Sequence, residues 1–255
     1  MAWNGYDDGY FRPYVSVAER KALGAQELAK LLKKAKRAPE PVVLTTGRRQ
    51  VATTFWGKAW CENLERYADF ANRLPRGRTY VRNGSVLDLA VGKGKVEAYV
   101  AGSELYTVTI GIAPLAKTRW KRVVSRCTGR IGSLVGLLRG ELSADVLAVL
   151  CEAKEGLFPE PREISLDCSC PDWADVCKHV AAVLYGVGSR LDTRPDLFFV
   201  LRQVDQTELI SSATSGAASR PRKGGGAKQL AADKLADVFG IDLVEEPAVR
   251  SRRTR

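Results

Sequence analysis

Ile164-Ser165-Leu166-Asp167-Cys168-Ser169-Cys170-Pro171-Asp172-Trp173-Ala174-Asp175-Val176-Cys177-Lys178-His179 is the stretch whose reading decides the fold. It gathers three of the chain's six cysteines and its single histidine in the pattern C-x-C, six residues, C-x-H. Three sulfurs and one imidazole nitrogen are the donor set of a closed, tetrahedral structural zinc site. The spacing agrees with that chemistry. Residues two apart on an extended chain point to the same side, so Cys168 and Cys170 can grip one ion. On a helix, two such residues diverge by roughly 200°. Cys177 therefore belongs at a helix start, with His179 in the first turn and Val180, Ala181, Val183, Leu184 and Leu191 on the buried side. Three thiolates and a neutral imidazole around a divalent cation leave one negative charge, which unpaired N–H groups and the helix dipole stabilise. A lone cysteine is ordinarily a buried thiol, but four ligands in one 12-residue window read as a metal site.

Upstream, Ser16 is placed to cap a helix running to about Arg37, with Leu23, Leu28, Leu31 and Leu32 on one side. Its basic end, Lys30 to Arg37, suits the helix dipole and by itself says nothing about ligands. From Phe55 to Leu74, Trp56, Trp60, Leu64, Tyr67, Ala71 and Leu74 recur at steps of three and four, which predicts an amphipathic helix with core tryptophans. Asn83-Gly84, Gly92-Lys93-Gly94 and Gly102-Ser103 separate four runs, 79–82, 85–91, 95–100 and 106–112, of which the last two alternate. These predict a four-stranded antiparallel meander covered by the Phe55–Leu74 helix. A short helix is expected near Pro195–Leu201, and a second detached one at Gln229–Phe239.

A formal net charge of +11 favours polyanionic partners, nucleic acid first. Its distribution says more. Leu105–Gly140 carries Lys117, Arg119, Lys121, Arg122, Arg126, Arg130 and Arg139 with no Asp or Glu, and 141–175 reverses the sign with nine acids against Lys154 and Arg162. Phosphates should avoid the acidic metal loop and prefer the 73–139 surface. The expected nucleic-acid contacts are Arg76, Arg78, Arg82, Lys117, Arg119, Lys121, Arg122 and Arg126, with Trp120 as a stacking platform. The acidic stretch could instead fold back on the basic one as an internal ion-pair interface, consuming that site.

The resemblance extends beyond the metal ligands. Leu157-Phe158-Pro159, Cys170-Pro171-Asp172-Trp173 and Cys177-Lys178-His179-Val180-Ala181-Ala182-Val183-Leu184-Tyr185, with Thr54-Phe55-Trp56-Gly57-Lys58-Ala59-Trp60-Cys61 and the Arg73–Val86 segment, resemble the bacterial SWIM zinc finger family over most of residues 50–205. The resemblance implies zinc binding at Cys168, Cys170, Cys177 and His179, and a nucleic-acid or protein-interaction role. It also implies association with helicase-like ATPases of the remodeller type, and no agreed biochemical activity.

Together these readings predict an α+β protein: an antiparallel β meander with packed helices, then a ββα-type SWIM zinc finger and a C-terminal helical tail. The expected segments are 1–50 (arm and helix), 51–140 (basic sheet and helices), 141–205 (helical segment and finger), 206–228 (flexible linker) and 229–255 (helix and basic tail). The sole histidine is assigned to zinc and no P-loop motif is present, so a non-enzyme with no small-molecule substrate is expected. No run approaches the about 18 apolar residues of a membrane span, and Met1–Asp8 lacks the features of a secretory signal. A cytoplasmic protein is expected. Its function is then a zinc-stabilised nucleic-acid-binding accessory protein; the alternative is a protein-interaction adaptor whose finger or C-terminal helix binds a partner.

Overall fold

The computed structural model of the chain describes residues 15–44, 47, 50–66 and 73–211. The chain divides into two units, Met1–Ala218 and Ser219–Arg255. The expected N-terminal arm, the 212–228 part of the linker and the Gln229–Phe239 helix lie outside the described residues. The fold is α+β. Four strands, β1 (Val86–Gly92), β2 (Lys95–Ala101), β3 (Leu105–Ile112) and β4 (Ile164–Cys168), form one antiparallel sheet in the order β1-β2-β3-β4.

β2 and β3 follow their alternation; β1 does not, since its register shifts between Val86 and Asp88 and the adjacent Asp88 and Leu89 are both buried. Val96, Ala98 and Val100 on β2, and Val108, Ile110 and Ile112 on β3, are buried, whereas Lys95, Glu97 and Thr107 are not. Gly94, at φ 65°, closes the β1–β2 turn in a conformation that favours glycine.

The fourth strand differs from the expected one. Thr79–Arg82 is not a strand but the end of α3 (Leu74–Arg82), and Asn83-Gly84 carries the chain from that helix into β1. Leu74, Gly77 and Val81 recur at helical steps and are buried against α7 (Lys178–Thr193), which overrides the strand preference of Thr79, Tyr80 and Val81. A Cβ on Gly77 would stand 2.4 Å from the Ala181 side chain, so the two helices touch backbone to backbone. The sheet instead takes its fourth strand, β4, from the metal-binding stretch, which contributes one strand rather than two to the finger. Hence the 51–140 and 141–205 segments share one sheet and one core.

α7 is the central helix. Eleven consecutive residues, His179 to Ser189, are buried, as a helix apolar all round should be. It packs on the sheet and receives α3 and α2 (Phe55–Glu65), so α7, and not the expected Phe55–Leu74 helix, covers the strands. Trp56 and Trp60 of α2 are core residues. Their indole N–H groups donate to the Leu137 and Leu184 carbonyls at 3.0 and 2.8 Å, which satisfies both buried donors. Thr54 has no side-chain cap of its own; Asp192, near the end of α7, accepts from the backbone N–H and hydroxyl of both Thr53 and Thr54 at 2.7–3.0 Å.

α1 (Val17–Ala35) starts as its sequence predicts. The Ser16 hydroxyl accepts from the Glu19 N–H at 3.2 Å, and Gly24, Leu28 and Leu32 face inward against the sheet. α4 (Lys117–Cys127), α5 (Leu134–Arg139) and α6 (Ala144–Cys151) lead to a 3₁₀ turn at Pro161–Glu163 and so to β4. α8 (Asp196–Arg202) confirms the expected helix after the finger. Packing continues into the segment expected as linker: Leu209 is fully buried and Glu208 accepts from Trp120. No helix among the described residues is long and apolar enough to cross a membrane.

Candidate metal centre

The end of β4 and the head of α7 meet at four side chains. Cys168 is the last residue of β4, whose exit is held by Ser169 N–H donating to the Thr107 carbonyl at 3.0 Å. Cys177 is the N-cap of α7, in extended conformation, and His179 lies in the first turn. The ligand atoms of Cys168, Cys170, Cys177 and His179 all lie within 4.8 Å of one another. Nδ1 of His179 is 3.9 Å from the Cys168 sulfur and 3.8 Å from the Cys177 sulfur. Donors on a tetrahedron with bonds of about 2.3 Å stand about 3.8 Å apart, so the cluster has the dimensions of a Cys3His zinc site. It holds one structural zinc ion, with every coordination position filled by protein.

Electrostatics at the helix head prepare the thiolate. Hydrogen bonding with Cys168 holds the Cys177 thiol well below its ordinary value; burial opposes this, and His179 and the Val180 N–H reinforce it. That N–H lies 3.4 Å from the Cys177 sulfur. It is one of the donors a helix N-terminus leaves unpaired, and it favours the anion a metal requires. By contrast burial pushes the thiols of Cys61 and Cys151 up, to about 12 and about 11. Burial also raises Cys127. These three stay protonated and outside the cluster.

The imidazole is fixed by neighbours that ligand spacing could not reveal. Tyr106 stacks on it at 4.3 Å and Tyr80 meets it edge-on at 5.4 Å. Nε2 points away from the sulfurs, is buried and has no hydrogen-bond partner among the described residues. A Cβ on Gly102 would stand 3.0 Å from Nε2 and 2.7 Å from the Tyr106 ring, so the β2–β3 turn needs glycine for close approach rather than for its φ. Only the turn role of Gly102 was visible in sequence. On the other side, Arg73 at the head of α3 reaches Asp172 of the metal loop at 3.5 Å.

The expected nucleic-acid residues do not form one free surface. Arg119 is buried, with 7 % of its surface exposed, and donates to the Gly156 and Phe158 carbonyls at 2.7 and 3.0 Å. It also pairs with Glu163 at 3.4 Å. Trp120 is 5 % exposed and donates to Glu208, leaving no ring face for a base. Arg122 and Arg126 are exposed but paired with Glu155 and Glu152. Arg78 pairs with Glu65 and donates to the Tyr185 hydroxyl at 2.8 Å. Arg82 is half-buried, while Arg76, Lys117 and Lys121 are exposed. The acidic stretch thus folds back on α4, the second of the two arrangements its charge pattern allowed.

Sequence reasoning also missed the hub of that interface. Glu163 accepts from the Glu160 N–H at 2.9 Å and pairs with Arg119 and with the buried Arg202 of α8. Burial alone would raise its carboxyl, but the Glu160 N–H, Arg202 and Arg119 together hold it below the usual carboxylate range.

Residues 149–187 match the family of the SWIM zinc finger. The chain is also similar to Uncharacterized protein Rv2102 of Mycobacterium tuberculosis (strain ATCC 25618 / H37Rv), 36% identical over 174 residues, which cover 67% of this chain and 62% of the relative. The match thus spans less than two thirds of that relative's length. A comparison with solved structures found no match.

Proposed function

With a SWIM zinc finger established at residues 149–187, we propose that this chain is a nucleic-acid-binding protein in which zinc holds the fold and performs no chemistry. The observation that carries the reading is the charge: a net +11 for the chain, with exposed cations, Arg76, Lys117 and Lys121, that have no ion-pair partner among the described residues. The metal loop contributes Asp172 and Asp175, and β4 contributes an exposed Asp167, so phosphates are kept off the finger itself. All four zinc positions are filled by protein, which supports a non-catalytic role. An accessory role beside a helicase-like ATPase rests on the family resemblance alone.

Fluorescence anisotropy with labelled DNA and RNA tests the reading. About five phosphate contacts would give a log–log salt slope near −4.5, roughly a 500-fold loss of affinity between about 50 and 200 mM salt. A salt-insensitive complex, or no binding at low salt, ends it.

A second reading has its own observation. Trp173 is 98 % exposed on the loop between Cys170 and Cys177, beside Asp172 and Asp175. A bare aromatic on a metal-held loop, flanked by carboxylates, suits a protein partner with basic side chains around an apolar pocket. A stoichiometric partner that resists nuclease and is lost on Trp173→Ala would favour this adaptor reading.

A further inference from the structure

The two edges of the sheet end differently. At β1 the edge is closed: the Val42 N–H donates to the Val86 carbonyl at 3.1 Å, and the Leu89 N–H to the Glu40 carbonyl at 3.0 Å. β4 is the opposite edge, and among the described residues it pairs with β3 alone. Its register decides which main-chain groups face outward. The Ser169 N–H donates to the Thr107 carbonyl and the Glu163 carbonyl accepts from the Ala113 N–H, so residues 163, 165, 167 and 169 are those that bond to β3. The alternate residues turn the other way. The Ile164 N–H donates to the Pro161 carbonyl. That leaves the Ile164 carbonyl, both main-chain groups of Leu166 and the Cys168 N–H without a hydrogen-bond partner among the described residues.

Side chains sort the same edge into two faces. Ile164 and Leu166 stand opposite the buried Ile112 and Ile110, pack against the core and are themselves only half-buried. Ser165 and Asp167 lie on the other face and are exposed, and Asp167 has no ion-pair partner among the described residues. Proteins ordinarily protect a sheet edge with lysine, proline or a bulge. Apart from its length of five residues, β4 has none of these. Its one device is a carboxylate, which is selective rather than prohibitive.

Asp167 favours a strand that carries cations on its face and disfavours a second copy of β4. Antiparallel pairing of two copies about Leu166 would place both Asp167 carboxylates on one face of the joined sheet, with an anionic metal cluster at either end. The exposed Asp175 of the metal loop adds to the negative sign. The edge is also preorganised, since Glu163 holds the chain before β4 and the metal ligands hold it at Cys168. A partner strand therefore loses its own freedom on binding, and β4 loses little.

We infer that β4 accepts an extended segment of a partner protein as a fifth, antiparallel strand, with apolar side chains beside Ile164 and Leu166 and basic ones toward Asp167. This rests on the adaptor reading and gives the partner its chemistry. The test uses the full-length, zinc-loaded protein and a labelled, end-blocked peptide of alternating Lys and Val, about seven residues long. Fluorescence anisotropy should show saturable binding with a Kd below about 1 mM. A Glu/Val peptide of the same length should bind about tenfold more weakly. In antiparallel addition the residue opposite Leu166 is a valine whose amide faces β4. N-methylation of the valines should therefore abolish binding, and N-methylation of the lysines should leave it within about twofold. Leu166→Pro removes the outward N–H and no bond to β3, at an edge position where proline is tolerated. It should weaken the Lys/Val peptide about tenfold with zinc content and melting temperature kept; should it lose zinc, the N-methylated peptides carry the test. Asp167→Lys should reverse the preference between the two peptides. A parent that binds neither peptide, or that loses nothing on valine N-methylation, overturns the edge assignment. Loss on Trp173→Ala with Leu166→Pro unchanged also overturns it and leaves the adaptor reading standing. A loss from lysine N-methylation alone overturns the antiparallel sense. A concentration-dependent dimer abolished by Leu166→Pro gives the edge to a second copy and overturns the partner strand. A parent that binds neither peptide and holds no partner sensitive to Trp173→Ala removes the adaptor reading as well.

Discussion

Immediately before Ile164 the chain is held by a carboxylate, and at Cys168, where β4 ends, it is held by sulfur and imidazole. At the first end Glu163 gathers Arg119 of α4, Arg202 of α8 and the Glu160 N–H. At the second, Cys168, Cys170, Cys177 and His179 converge on a metal position that ties β4 to α7. The metal end depends on one ion and is all-or-none, because binding and folding of such a site are one equilibrium. The carboxylate end distributes its energy over several donors, and its balance depends on every charge remaining paired, since a buried guanidinium without its partner is costly. A strand of five residues is thereby held more firmly at its ends than its ladder to β3 could manage alone.

The largest effect should come from removing the metal. Structural zinc contributes about 10–16 kcal/mol in isolated finger peptides near pH 7. Cys177→Ser should therefore lose bound zinc on metal analysis and melt far below the parent. A variant that melts with the parent would show that the metal end is not structural. Next comes Glu163→Gln, which keeps the shape and removes the charge. Loss of one member of a buried ion network costs about 3–5 kcal/mol. The lower value, about 3 kcal/mol, is expected because the Glu163 side chain keeps 18% of its surface exposed. Urea unfolding should report that loss with zinc content unchanged; loss of zinc would mean that the two ends are coupled through β4.

Acid sharpens the contrast. Glu163 titrates below the 4.5 of a free glutamate, so its contribution is complete above that value and is lost as pH falls through the lower folded value. The metal ligands also take up protons in acid. Stability measured between about pH 3 and 6 should fall less steeply in Glu163→Gln than in the parent, while zinc release, followed with a chelating dye, keeps the parent's midpoint. Equal slopes in the two proteins would remove Glu163 from the account. Gly102→Ala should be milder. Its Cβ would press on Tyr106 and the imidazole, and zinc affinity should fall about tenfold, the scale of a disturbed ligand support. Smallest of all is Arg122→Ala. Its exposed pair with Glu155 should contribute less than about 1 kcal/mol, and a larger loss would show that α4 depends on its outer pairs as well as on Arg119.

Much of the metal end was legible in the order of residues, and little of the carboxylate end was. Cys168 ends a strand, and Cys177 and His179 sit at a helix head, placements that follow from a 12-residue window and the geometry of strand and helix; Cys170, expected on the same extended chain, lies in a bend just past the strand. The Ser16 cap, the core tryptophans and the β1–β2–β3 turns were equally readable, because each signal lies within a few residues of what it specifies. Thr79–Arg82 misled because its β-branched and aromatic side chains favour a strand locally, while the contact that makes it helical is Gly77 on Ala181, more than a hundred residues away.

By itself, then, the sequence determined the ligand set, the α+β class and the sign of each segment's charge. The tertiary structure alone decided that β4 completes the upstream sheet, that α7 lies between sheet and outer helices, and which cations remain available to a partner. Arg119 meets Glu163 across 44 residues and Asp192 meets Thr53 across 139. No local spacing encodes such pairings. They form only when the core closes and desolvation makes an unmatched charge costly, so the surface left to a ligand is what that closure does not use.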